Sequence, residues 1–138
     1  MAEIVLAEGT SSELALGLHA AIAENMQRWP ERDDALRRLH GRAFFHADDT
    51  EQAVTIEFSD GEVRIEDGES GPAAIRILGD QQTILTLTKV PLAHGLPDLR
   101  SPTARLLLRR QLGGELTIRG LILHAPQVAR LLRVLAGG

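Results

Sequence analysis

Five histidines, His19, His40, His46, His94 and His124, are the side chains best suited to metal ligation or proton transfer in this chain of 138 residues. No two of them stand at the helical i, i+4 spacing that would aim a pair of imidazoles at one ion, so a histidine zinc site has no frame. His46 with Asp48 or Asp49 is a local donor set, but Asp48-Asp49-Thr50-Glu51 reads as the solvated turn of a hairpin. Nucleophilic chemistry fares no better. Ser59-Asp60 and Ser101 lack a neighbouring base in a nucleophile-elbow setting. Glu57 and Glu66 fall on outward strand positions, which gives paired acid–base chemistry no support. Gly113-Gly114 lacks the Lys-Ser/Thr of a phosphate loop. With no cysteine there is no thiolate, disulfide or cysteine-based zinc site. The expectation is a protein that is not an enzyme, with no catalytic residue, no metal and no cofactor.

The more informative residues are apolar, and their spacing defines elements. Thr10-Ser11-Ser12-Glu13 has the form of a capping box. Leu14, Leu18, Ile22 (with Ala21), Met26 and Trp29 then fall near one helical face, with Trp29 as the anchor of that helix, and Pro30 stops it. Asp33-Asp34 opens a shorter helix through Leu36, Leu39 and His40 that Gly41 closes. Strand patterns follow over Ala43 to Ala47, Ala53 to Phe58, Glu62 to Ile65 and Ala73 to Leu78. Asp60-Gly61 is a hairpin turn, because a type I′ turn needs positive φ at both central positions. Gln82 to Val90 is ambiguous: its β-branched content favours a strand, while Asp80 is a good N-cap for a helix. Pro91 to Pro97 reads as a loop. Ser101-Pro102 starts a helix through Leu112, and Glu115 to Gly120 is a last short strand. Ala125 to Ala136 is a leucine-rich amphipathic helix that needs an apolar surface to cover.

One domain of this length can bury one continuous core, and 43% apolar with 25% charged residues is a globular composition. No apolar run approaches a membrane span. Met1 to Ala7 lacks the basic start of a secretory signal, which makes the cytoplasm the expected location. The net charge of −4 hides a split: residues 1–88 carry 7 basic and 17 acidic side chains, residues 89–138 carry 8 and 2. Such a split can attract an anionic membrane surface or nucleic acid, or let copies associate. The helix bearing Arg105, Arg109 and Arg110 has no stacking aromatics, which excludes nucleic acid as its natural partner. Its leucines suit an anionic membrane surface, and a core-packed helix with a solvated arginine edge is the plainer alternative.

Two segments carry a family resemblance. Val54-Thr55-Ile56-Glu57-Phe58-Ser59-Asp60-Gly61-Glu62-Val63 is similar to the strand–Asp-Gly–strand hairpin of the sterol carrier protein type 2-like lipid-transfer domains. Gly114-Glu115-Leu116-Thr117-Ile118-Arg119-Gly120 resembles their glycine-bracketed last strand. Ala74 to Asp80 sits where that family runs from a strand into a helix, which tips Gln82 to Lys89 towards helix. The resemblance covers roughly residues 36–136. It departs at Leu121-Ile122-Leu123, where the family commonly has Asn or Asp after the closing glycine, and in the longer stretch from Pro91 to Leu112.

The resemblance implies an α+β fold with a five-stranded mixed sheet covered on one face by helices. Helices would occupy 10–41, the sheet 42–79, further helices 80–112, the last strand 115–119 and the terminal helix 125–136. It also implies non-catalytic binding or transfer of a fatty acyl chain, sterol or isoprenoid-type lipid in an apolar cavity between sheet and helices. Some bacterial relatives handle isoprenoid quinone precursors. The inward face supplies the candidate lining: Val54, Ile56, Phe58, Val63, Ile65, Ile75, Ile77, Ile84, Leu87, Leu116, Ile118, Leu131, Leu132 and Leu135. The alternative is a structural or interaction domain of the same fold with a filled core, self-associating through its charge asymmetry.

Overall fold

A sheet of six strands, not five, organises the chain, as seen in a computed structural model that describes residues 3–89, 92–93, 96–120 and 125–135. The additional strand is β1 (Glu3–Leu6), four residues too short to display a period of two. It lies parallel to β4 (Glu62–Asp67), with Ile4 opposite Val63 and Leu6 opposite Ile65. β2 (Gly41–Ala47), β3 (Gln52–Ser59) and β4 form an antiparallel meander, β5 (Ile75–Gly79) runs parallel to β2, and β8 (Leu116–Arg119) runs antiparallel to β5. The strand order is β1-β4-β3-β2-β5-β8. The turn joining β3 to β4 has φ of 50° at Asp60 and 84° at Gly61, the geometry for which Asp-Gly is suited.

Helices α1 (Glu13–Arg28) and α3 (Gln81–Thr86), and α5 (Ala125–Leu135), bury their apolar sides with the inner sheet face in one hydrophobic cluster. α4 (Pro102–Leu112) packs beside β8 and α3. α3 is capped by Asp80, whose carboxylate accepts from the Thr83 N–H at 2.7 Å, and a 3-10 turn over Leu87–Lys89 extends it. The ambiguous stretch is thus helical as far as Lys89, and Val90 lies outside the described residues.

Three expectations need correction. α1 is capped by Ser12 rather than Thr10, because Asp67 at the end of β4 accepts from the Ser11 and Ser12 N–H groups at 2.9 and 3.2 Å and from the Ser12 hydroxyl. The Ser12 Oγ then accepts from Ala15 N–H, and Glu13 becomes the first helical residue rather than the third. The second helix, α2 (Asp33–Arg37), stops before Leu39 and His40, and Gly41 opens β2 at φ 88° instead of ending the helix. Within Pro91 to Pro97, β6 (Leu92–Ala93) and β7 (Leu96–Pro97) pair antiparallel where a loop was expected. His94, His124, Leu121 to Leu123 and Ala136 lie outside the described residues.

Candidate functional site

The inner sheet face is continuous and apolar because alternate residues of every paired strand point into it. Val54, Ile56 and Phe58 of β3, Val63 and Ile65 of β4, Ile75 and Ile77 of β5 and Leu116 of β8 are all buried there. Ile84 and Leu87 come from α3 and its 3-10 extension, and Leu131 and Leu135 from α5. Ile118 and Leu132 are half-buried against the same cluster. The fold therefore brings every candidate lining residue into one apolar layer. Residues absent from that expected set complete it: Ala43, Phe45 and Ala47 of β2, and Leu14, Leu18 and Ile22 of α1. β2 hides its period because it carries phenylalanine on both faces. Phe44 is buried on the outer side under the Arg76 guanidinium, 4.5 Å from the ring centre.

At one end this layer meets solvent through a cleft of about 690 Å³ lined by Ile4, His19, Ala23, Met26, Gln27, Pro30 and Asp33. Ile4 and Met26 pack against the central cluster, so the cleft's floor is the edge of the core itself. Asp33 borders it with Oδ2 paired to Arg37 at 2.7 Å and a buried Oδ1 that has no hydrogen-bond partner among the described residues. Ile4 escaped attention because the N-terminus shows only two inward apolar residues, Ile4 and Leu6, once β1 is paired.

Polar groups fix the elements around the layer. Asn25, buried on α1, donates from its amide to the backbone carbonyls of Val134 and Leu135 and so ties the end of α5 to α1. Trp29 caps α1 through an N–H bond to the Asn25 carbonyl at 2.8 Å, with the Arg32 guanidinium 5.0 Å over its ring. Partial burial pushes the Asp67 carboxyl up, but the bonds from Ser12 and Ser11 outweigh it and hold the group below the usual carboxylate range. Asp80 is held low in the same sense by hydrogen bonding from Thr83, against partial burial, with Arg110 adding its charge.

The other residues singled out for chemistry are dispersed. His46 Nε2 faces Glu51 at 3.8 Å rather than Asp48 or Asp49, and Asp49 accepts from the Gln81 N–H at 2.9 Å. Glu57, on the outer sheet face, pairs with Arg42 at 2.9 Å. Arg105 and Arg109 are exposed on α4, whereas Arg110 turns inward to Asp80 at 3.4 Å and to the Thr83 hydroxyl at 2.6 Å.

No family model and no curated protein matches the sequence. Solved structures do match by shape. One described as UbiJ-SCP2, a ubiquinone synthesis protein, superposes with a TM-score of 0.57 at 16% identity over 88% of this chain and 89% of its own. A crystal structure of sterol carrier protein 2 superposes with a TM-score of 0.54 at 15% identity, covering 91% of this chain and 92% of that one. The mixed sheet and the helices laid over it thus have the sterol carrier protein 2 fold.

Proposed function

We propose that the protein binds and hands on a hydrophobic ligand without catalysing a reaction on it, acting in the cytoplasm. The ligand is a fatty acyl, sterol or isoprenoid-type lipid held between the inner sheet face and α1, α3 and α5, and it enters past Ile4, Ala23 and Met26. The observation that carries this reading is the contact of the apolar cleft with the core: Ile4 and Met26 line the one and pack against the other. A cleft of about 690 Å³ is within the size range of sites that hold a ligand by apolar contact with a few polar groups to orient it. Asp33 Oδ1, His19 and Gln27 are those polar groups here. None of the expected residues lines the cleft; a chain that passes it would run against Val54, Ile56, Phe58, Val63, Ile65, Ile75, Ile77, Ile84, Leu87, Leu116, Ile118, Leu131, Leu132 and Leu135 as further apolar surface. Hydrocarbon gains about 25 cal/mol per Å² on burial there, with no directional demand. The likeness in shape to a ubiquinone synthesis protein favours a polyisoprenoid chain among these ligands.

The test is native mass spectrometry of protein purified from cells, together with titration of a fluorescent fatty acid. Co-purified, exchangeable lipid is the expected result. Absence of both, with salt-sensitive assembly in light scattering, replaces this reading by a scaffold that associates through its charge split.

A further inference from the structure

We propose that α4 is a docking helix that lies on an anionic bilayer surface. Its inward side is narrow: Ala104 and Leu107 are its buried residues. Leu106, Leu108 and Leu112 are 37%, 43% and 81% exposed, so three of the four leucines of this helix contribute little to the core. Steps of three and four residues join Arg105, Leu106, Leu108, Arg109 and Leu112 into one contiguous patch on the solvent side. Neither Arg105 nor Arg109 forms an ion pair with a described residue, and Glu115 is the single acidic residue in the chain beyond Asp98.

The chemistry of the patch selects its occupant. A lipid surface takes both kinds of side chain at once, leucines into the acyl boundary and arginines against phosphates. A second copy fits poorly, because a two-fold contact through this patch would set Arg105 and Arg109 against their own images. Single-stranded nucleic acid would need stacking rings, and the patch has none. A protein groove that took these leucines would also have to desolvate Arg105 and Arg109, which lie among them. Arg110, although adjacent, is excluded from the patch by its bonds to Asp80 and Thr83. This inference stands independently of the ligand reading, since docking can be measured whether or not a lipid is taken up.

The experiment is co-sedimentation of the full chain with vesicles of phosphatidylcholine alone or mixed with phosphatidylglycerol, over a range of salt. Binding is expected on the anionic vesicles and should weaken with salt. An arginine near an anionic surface contributes about fivefold in partitioning, so Arg105→Gln with Arg109→Gln lowers it about 25-fold at low salt. Leu108→Ser with Leu112→Ser lowers it at every salt concentration. Arg110→Gln leaves it unchanged. Circular dichroism melting verifies that the exposed substitutions retain the fold, and the glutamine pair supplies a second, milder probe beside the serine pair. Failure of the wild-type chain to bind anionic vesicles overturns the proposal, as does binding by both pairs of variants as strong as that of the wild type. Conversion of a dimer to a monomer by the serine pair, without vesicle binding, also overturns it and assigns the face to a second copy.

Discussion

Because the Ser12 hydroxyl and the N–H groups of Ser11 and Ser12 all donate to Asp67, one carboxylate both places the start of α1 and ties that helix to the end of β4. Its ionised form is the one that accepts these bonds, so its folded pKa lies below the unfolded value. A depressed carboxylate contributes stability that is present above its ordinary range, near 3.9, and is lost as pH falls through its folded value. Urea unfolding of the wild type across the acid range should therefore show falling stability. Asp67→Asn should be less stable at neutral pH and show a shallower acid slope. Asp80 and Asp98, also depressed, keep some slope in that variant. A second residue-scale test addresses the cleft: in Ala23→Trp the indole would occupy space offered to ligand. Displacing only two methylenes of a bound chain, at about 0.8 kcal/mol each, weakens fatty acid binding more than tenfold. Unchanged affinity in a folded Ala23→Trp variant would remove the cleft from the binding path.

At the scale of elements, α5 is held to α1 by apolar packing and by one polar clamp. Asn25→Ala would leave the carbonyls of Val134 and Leu135 without their buried donor. The expected cost is about 1–3 kcal/mol in urea unfolding, and a loss within error would mean that the clamp is dispensable. Local signals made much of this architecture readable in the sequence. Asp60-Gly61, Asp80 and Ser101-Pro102 act within a few residues of their own positions, and the strands and helices they begin or join are where those residues place them. What escaped depends on partners distant in sequence. Thr10 and Ser12 are equally good caps until Asp67, 55 residues beyond Ser12, selects between them. β1 exists only by pairing with β4. The layer around the candidate site was legible on β3, β4 and β5, where alternation is clean. It was illegible on β2, where Arg76 supplies a cover for Phe44 that no local pattern reveals, and at Ile4, which joins the cleft only through that pairing.

Among the described residues the two halves of the charge split meet in an ion pair. Arg110 from the basic half bonds to Asp80 and Thr83 of the acidic half, and two of the seven arginines of the acidic half, Arg42 and Arg76, pair with Glu57 on the outer sheet face and with Glu69 in the connection to β5. What remains unneutralised on α4 is the part available to a surface. The interior poses the converse problem, since a carrier needs space where a stable fold prefers close packing. Leu131 on α5 is fully buried in the apolar cluster that α5 shares with α1 and the sheet. Leu131→Ala removes contacts and leaves a void, which costs about 2–5 kcal/mol. If ligand shares that interior, saturating lipid stabilises the folded chain in proportion to ln(1 + [L]/Kd), about 2.7 kcal/mol at a hundredfold excess over Kd. Thermal melts of the variant with a fatty acid should therefore recover part or all of the loss, and Ala23→Trp in the same chain should abolish the recovery. Destabilisation without rescue would mean that the layer is solid core and that any lipid binds outside it.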